Sequence, residues 1–403
     1  MNKSNFFTGQ PIFCQLLGLL SKADISKIVR EHKSDHYYKS FKTWNHLVTM
    51  LYGVYQNCTS LRELTTGMLA CEGRLQSLGM SHFPKRSTLS EANLKRDNLV
   101  FEQIYNRTYL RLREFLPDSR SKTMVNKLII IDSSTISLFQ EIFTAAGRDP
   151  QSGKRKGGVK VHMAVHERED VPYLIRITAS SSNDSLFLKG QSFPVGSYLV
   201  FDKGYHSYDD YNRLTKDKVN WITRRREKSI VQITSNNKVS ELEKSRGILN
   251  DQQIILGHQS KAITKVKCRL ITFWDSVNQR TFEYITNNLK VKASTIADLY
   301  KRRWQIELLF KRLKQNLLHQ YFLGDNQNAI KIQIWVTLLA DLLLRAATSG
   351  IKRKWSYANL AGLIRIHLMN YTQLKLFLEN PEKARITMPI SIYNNQLKLY
   401  LSG

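Results

Sequence analysis

The sequence predicts an α/β protein: a mixed sheet with flanking helices, interrupted by a β-rich segment, with a helical region ahead of it and further helices behind. Three observations carry this expectation. Two short apolar runs, residues 128–131 and 198–201, are each followed by an acid, Asp132 and Asp202, the pattern of a buried central strand whose last residue emerges at a sheet end. Residues 219–290 are rich in Val, Ile, Thr, Phe and Tyr. On either side of these strands the apolar residues fall at the three- and four-residue spacing of helices.

Taken in order, residues 1–118 read as helical, with Trp44, Leu47, Val48, Leu51, Tyr52 and Tyr55 on one face. Ser60 and Glu63 have the spacing of a capping box. Another helix is expected to start after Pro84, where Ser87, Thr88 and Ser90 offer caps, and to run to Leu116 before Pro117 stops it. Such a unit suits a DNA-binding domain and a plain packing domain about equally. Residues 119–218 carry the first strands: 128–131, the alternating run 159–165, the run 173–179, which completes a meander, and 198–201. Residues 219–290 form the β-rich insertion, with a helical interruption near 240–245. Residues 291–349 return to helix, first as one helix from Ser294 or Thr295 through Leu318 and then over 329–348; 350–403 holds shorter helices to about Glu379.

Of 403 residues, 61 are Lys or Arg and 33 are Asp or Glu, a net charge of +28. With 42% hydrophobic residues the chain has ample apolar surface for a core, so the charge belongs to a folded protein. An excess of this size favours a polyanionic partner, nucleic acid first, and argues against an acidic small-molecule enzyme. Cys14, Cys58, Cys71 and Cys268 lie far apart with no paired spacing, which rules out a zinc finger and fits thiols in a reducing cytoplasm. The apolar stretches 12–20 and 334–344 are too short or too interrupted, the second by Asp341, to serve as a signal peptide or a membrane span. A soluble chain with no membrane partner is therefore expected.

The chemistry concentrates around Glu307. Tyr300, Arg303, Glu307 and Lys314 are offset by 0, 3, 7 and 14 residues, so on one helix at about 100° per residue they share a narrow polar sector, with Lys311 beside them. Leu299, Ile306, Phe310, Leu313 and Leu317 form the apolar stripe about a quarter turn away. Glu307 is the lone acid among Lys301, Arg302, Arg303, Lys311, Arg312 and Lys314. Taken alone, this is a solvated basic helix with ordinary ion pairs from Glu307 to Arg303 and Lys311. Asp132 and Asp202 at two strand ends change the weighting, because three carboxylates converging at one end of a sheet repel unless cations occupy the site. Hard oxygen donors suit Mg²⁺ or Mn²⁺.

The Tyr300, Arg303, Glu307, Lys314 pattern resembles the Tyr-Arg-Glu-Lys signature of insertion-sequence DDE transposases, in the branch called the insertion sequence four family. Residues 131–135 (Ile-Asp-Ser-Ser-Thr) resemble that family's first catalytic-acid block, 201–205 (Phe-Asp-Lys-Gly-Tyr) its second, and 284–288 the strand end before the signature helix. The segments 41–47, 60–64 and 86–93 are similar to the helical domain ahead of that core, so the likeness covers about residues 30–350. It implies an RNase H-like core over 119–218 and 291–349. It also implies that Asp132, Asp202 and Glu307 bind two divalent ions per active site, Mg²⁺ with Mn²⁺ as substitute, and drive DNA nicking, hairpin formation and strand transfer. Tyr300, Arg303, Lys311 and Lys314 are then expected on DNA, with Arg224, Arg225, Lys154 and Arg155 as backbone contacts. Trp221 and Trp274 are the candidates to help a base leave the stack, each weighed against a core role. The implied partners are the element's terminal inverted repeats, target DNA and a second copy of the chain, in the cytoplasm of a bacterial cell beside the nucleoid. A non-catalytic DNA-binding regulator and an RNase H-like nuclease without strand transfer remain alternatives. Lys160, His162 and Asp184 stand as further polar neighbours of lower weight.

Overall fold

A computed structural model describes residues 9–116, 127–137, 158–257, 264–317, 323–324 and 326–382. The helices are α1 (Ile12–Leu17), α2 (Lys22–Glu31), α3 (Thr43–Gln56), α4 (Leu61–Leu69), α5 (Arg86–Lys95), α6 (Asn98–Leu112), α7 (Ser185–Leu188), α8 (Tyr208–Lys216), α9 (Glu241–Ser245), α10 (Ala293–Lys301), α11 (Trp304–Asn316), α12 (Gln327–Thr348), α13 (Tyr357–His367) and α14 (Leu374–Glu379). The strands are β1 (Leu128–Ser137), β2 (Gly158–His166), β3 (Pro172–Ala179), β4 (Tyr198–Phe201), β5 (Asn220–Arg224), β6 (Val231–Asn236), β7 (Ile248–Leu256), β8 (Val266–Asp275) and β9 (Arg280–Thr286). The chain divides into two compact units, Met1–Leu116 with Arg312–Gly403, and Pro117–Lys311, the second boundary falling inside α11.

The helical unit is organised around α12. This helix is apolar over most of its circumference, with Ile330, Ile334, Leu338, Leu339 and Leu342 buried, and it packs against α3, α5 and α6. The Tyr55 hydroxyl, on α3, donates to the Ala340 carbonyl at 3.1 Å. So α12, which the sequence places with the catalytic core, lies in the compact unit of the N-terminal helices. The Ser60 hydroxyl accepts from the Glu63 amide at 3.1 Å, as the capping box requires, but the Glu63 carboxylate reaches back to the Thr59 amide at 2.6 Å. The helix expected from Ser87 to Leu116 is two helices. Arg96 turns extended at ψ 124° and buries its guanidinium against the Phe41 carbonyl at 2.9 Å and over the Tyr38 ring at 4.0 Å, after which Asp97 caps α6 through the Leu99 amide. Local periodicity is silent about such a break, because the bonds that hold it come from residues about 55–60 positions away.

The sheet unit has the strand order β3-β2-β1-β4-β5-β9-β8-β7-β6. β1, β2 and β3 form the expected antiparallel meander, whereas β4 lies parallel to β1 and β5 parallel to β4. This mixed order, an antiparallel meander continued by parallel strands, is the RNase H-like arrangement that the resemblance implies. β5 belongs to it, so the insertion expected from residue 219 begins only after Arg224. The remaining strands of the β-rich segment do not form a separate layer: β9 pairs antiparallel with β5, and β8, β7 and β6 carry the sheet outward. Trp221 lies fully buried on β5, stacked on Tyr211 at 4.5 Å, its indole N–H shared between the Tyr211 carbonyl and the Thr215 hydroxyl. That packing corrects its candidacy for base flipping: a side chain locked in the core on both faces has no room to receive a base. No helix among the described residues is long and apolar enough to cross a membrane.

His46 gives the helical unit a pH dependence. It is fully buried on α3, bonded through Nε2 to the Asn93 amide oxygen at 2.7 Å, and burial, aided by the Arg96 charge, pushes its pKa down to about 3. A histidine depressed in the folded state binds protons more tightly when unfolded, so its stabilising contribution is complete above about 6.5 and is lost as pH falls from there toward 3. The thermal midpoint should drop between about pH 7.5 and about pH 5, and His46→Gln should flatten that drop. A variant with the same pH dependence as the wild type would contradict this account.

Candidate active site

β1 does not end at Asp132 as its sequence suggests; it continues to Ser137 against β2. What ends there is the pairing with β4, whose register closes at Ile131 opposite Phe201. Asp132 and Asp202 are the next residues on the two parallel strands, so the backbone sets them side by side at one sheet end. Asp202 also caps a short 3₁₀ turn, Lys203–Tyr205, accepting from the Gly204 amide at 3.3 Å. Asp132 accepts from the Ser133 amide at 2.8 Å.

Glu307 arrives from α11. The single helix expected from 294 to 318 is broken at Arg302 and Arg303, between α10 and α11. Glu167, just past β2, pins the break by accepting from Arg302 Nη1 at 2.5 Å and from Gln305 Nε2 at 3.1 Å. α10 starts without a cap of its own; the Glu243 carboxylate on α9 instead takes the Ser294 amide and hydroxyl, each at 2.7 Å. The predicted apolar stripe is nevertheless the buried one, with Leu299, Ile306, Phe310, Leu313 and Leu317 all in the core.

The break puts Arg303 between the acids. Its Nη1 lies 2.6 Å from Asp132 Oδ2 and its Nη2 2.5 Å from Glu307 Oε1, while Arg224 Nη2 lies 2.8 Å from Asp202 Oδ1. Burial pushes the Asp132 carboxyl up to about 6; Arg303 and the Ser133 amide oppose this, and the charges of Asp202 and Glu307 add to it. Asp202 goes the other way. Burial again raises it, but the Arg224 hydrogen bond and the charges of Arg224 and Arg303 outweigh burial and hold it below the usual carboxylate range. Arg303 stays protonated, since the acids around it outweigh its own desolvation. Tyr300 is buried beside them, 4.7 Å from the Tyr284 ring; burial pushes its phenol up to about 12, against the nearby Arg224 and Arg303 charges. Its hydroxyl lies beside the Arg303 guanidinium and has no acceptor among the described residues.

The donors fit a hard divalent cation: they are carboxylate oxygens, partly desolvated by burial. In the arrangement seen here they meet through guanidinium groups, and among the described residues no three His, Cys, Asp or Glu side chains converge on one point. Arg303 holds the position of a cation between Asp132 and Glu307.

The other expected residues are dispersed. Lys311 and Lys314 are exposed further along α11. Arg224, expected on DNA, is committed to Asp202; Arg225 pairs with Glu283 at 2.6 Å, and Arg226 donates to the Lys203 carbonyl at 3.0 Å. Lys154 and Arg155 lie outside the described residues. Trp274 is 37% exposed on β8, accessible as Trp221 is not. The Glu167 anchor and the Arg224 clamp have no local motif in the sequence. Lys160, His162 and Asp184 fall beside the acids. Lys160 Nζ lies 3.0 Å from Asp184 Oδ1, and His162 is buried between Tyr205 and Thr178.

Removing one partner of a buried ion pair strands the other. Arg303→Ala is expected to lower unfolding stability by about 3 kcal/mol without added metal, while Arg303→Ala combined with Asp132→Asn and Glu307→Gln should recover most of that loss. Urea titration of the variants measures both; a neutral Arg303→Ala would show that the guanidinium does not compensate the acids.

Comparison with known proteins identifies the family. The transposase DDE domain matches residues 124–343, and a domain of unknown function, DUF4372, matches residues 8–81. The chain is 29% identical to the transposase named y4zB of Sinorhizobium fredii over 266 residues, 66% of this chain and 72% of that one. It is 28% identical to a transposase for insertion sequence element IS5377 of Geobacillus stearothermophilus, covering 56% and 58% of the two chains. Against a transposase for insertion sequence element IS4SA of Synechocystis the identity is 25%, covering 64% and 70%. Among solved structures, the piggyBac transposase synaptic complex with hairpin DNA aligns at a TM-score of 0.44 and 10% identity, over 97% of this chain and 83% of that one, too weak a likeness to carry an argument. Because the DDE domain spans more than half of the sequence, the family is settled: this chain belongs to the DDE transposases of insertion sequences, metal-dependent enzymes that cut DNA.

Proposed function

We propose that this transposase binds the terminal inverted repeats of its own element, cuts them, and joins the freed ends to target DNA, with Asp132, Asp202 and Glu307 as the catalytic acids. The supporting observation is that Asp132 and Glu307 share Arg303, while Asp202, at the strand end next to Asp132, is held by Arg224. The three acids would hold two divalent ions, Mg²⁺ or Mn²⁺, which when bound activate a water or 3′ hydroxyl and stabilise the leaving oxygen.

The protein's own groups prepare that chemistry. Arg303 and Arg224 keep the acids ionised and in place, and their guanidinium forks match a phosphodiester as well as a carboxylate, so either can exchange an acid for a DNA phosphate. Tyr300 offers a buried hydroxyl beside them with its donor unspent. Lys311, Lys314, Arg225, Lys154 and Arg155 supply further backbone contacts, each phosphate neutralised adding about 0.9 to the logarithmic salt slope on duplex DNA. Trp274 is the remaining candidate to stack on a displaced base during hairpin formation. The helical region 1–118 adds end recognition, and a homodimer, joined through residues 350–403, would hold the two ends together beside the nucleoid in the cytoplasm.

Labelled DNA carrying the two element ends, incubated with Mg²⁺ or Mn²⁺, tests this reading. Metal-dependent nicks at the ends that disappear with EDTA and with Asp132→Asn are expected, the substitution costing at least about a hundredfold in rate. Binding without cutting would favour the regulator, and cutting without joined product the nuclease. A monomeric mass on an end duplex of about 30 base pairs, long enough for about three helical turns, would remove the dimer.

A further inference from the structure

Three blocks of the sheet unit meet behind the acids. Ser133 follows Asp132 on β1, Gly204 lies two residues after Asp202, and Asp184 precedes α7 on a separate loop. Asp184 Oδ1 accepts from the Ser133 hydroxyl at 3.2 Å and from Lys160 Nζ at 3.0 Å; a methyl group built on Gly204 would stand 3.0 Å from Asp184 Oδ2. Lys160 Nζ is further fixed by the Ser182 carbonyl at 3.1 Å, and both side chains are largely buried, 15% and 25% exposed. His162, from β2 behind them, stacks on Phe187 at 5.4 Å and bonds Tyr205 at 3.2 Å, closing the floor under this pair.

We propose that Asp184 is a positioning residue that ties the Asp132 block to the Asp202 turn, and that Lys160 is the counter-ion that makes a fourth carboxylate tolerable beside the other three. One Asp184 oxygen holds the residue next to Asp132, while the other fills the space that a side chain at Gly204 would take, over the turn whose amide holds Asp202. Both acids therefore take their spacing from one side chain, in addition to the strand register. Asp184 without Lys160 would add negative charge to a site where Asp202 and Glu307 already disfavour ionised Asp132. Paired with Lys160, it contributes hydrogen-bond acceptors and little net field. Groups that orient metal-binding carboxylates from behind typically matter by about ten- to a hundredfold in affinity or activity.

This inference rests on the reading of Asp132, Asp202 and Glu307 as a metal site, and the test separates the two. Mn²⁺ binding to the full chain without DNA is followed by electron paramagnetic resonance, with thermal unfolding measured alongside. Lys160→Met combined with Asp184→Ala, which removes both charges together, is expected to unfold near the wild-type midpoint yet to need about tenfold more Mn²⁺ for half-saturation. Lys160→Met combined with Asp184→Asn keeps one acceptor oxygen for Ser133 with both charges still removed, and should recover most of that loss. Ser133→Ala, which changes no charge and guards against a misfolded double variant, should weaken Mn²⁺ by about threefold. Wild-type Mn²⁺ affinity in the folded Asp184→Ala double variant, or in Ser133→Ala should that double variant not fold, overturns the proposal. Wild-type affinity in Asp132→Asn overturns the metal-site reading and this proposal with it.

Discussion

Three carboxylates gathered at one sheet end repel one another, and the low-dielectric surroundings that burial creates make the repulsion larger. Much of the sheet unit answers that constraint. Arg303 bridges Asp132 and Glu307, and Arg224 clamps Asp202, so each acid has a cationic partner within 3 Å. The compensation is uneven. Asp132, the most enclosed of them, is left with a raised pKa, whereas Asp202, with Arg224 to itself, is lowered. A site in this state is primed for stronger cations and for phosphates, because the arginines can exchange one anion for another without leaving a buried charge alone.

The scaffold delivers these groups by two different means. Asp132 and Asp202 are placed by parallel strand register, which is set by the whole apolar pattern of β1 and β4 and cannot slip by one residue without turning both strands inside out. Arg303 and Glu307 are placed by a helix break. The Glu167 anchor holds Arg302 at the break between α10 and α11, and the next residue, Arg303, reaches Asp132 on β1. Glu243 supports the same arrangement from the insertion side by capping α10, so the β-rich segment contributes to the site's geometry as well as extending the sheet.

The helical unit follows a different logic. Its buried polar groups, Arg96, His46 and Asn93, are held by hydrogen bonds and ring contacts within the unit and have no carboxylate cluster to serve. Arg96 ends one helix where periodicity alone would continue it, and His46 stays neutral because burial and the Arg96 charge outweigh its hydrogen bond to Asn93. These are packing solutions that fix how α3, α5 and α6 meet α12.

The sequence by itself determined the fold class and most of the strands, and it singled out Asp132, Asp202 and Glu307 as candidates. Leu128 to Ile131 and Tyr198 to Phe201 are legible because a buried strand is a local pattern, and Asp132 and Asp202 because an acid directly after such a run has few structural reasons to be there. The ordered signature around Glu307 was equally visible, since helical spacing is local too. Tertiary structure alone decided what those residues touch. That β5 belongs to the core and Trp221 to its interior depends on pairing with β4; that Arg224 serves Asp202 rather than solvent depends on where β5 ends; that α10 and α11 are separate depends on Glu167, 135 residues upstream of Arg302. Each is a contact between residues far apart in the chain, and a single sequence records the residue types at both ends of such a contact without recording that they meet.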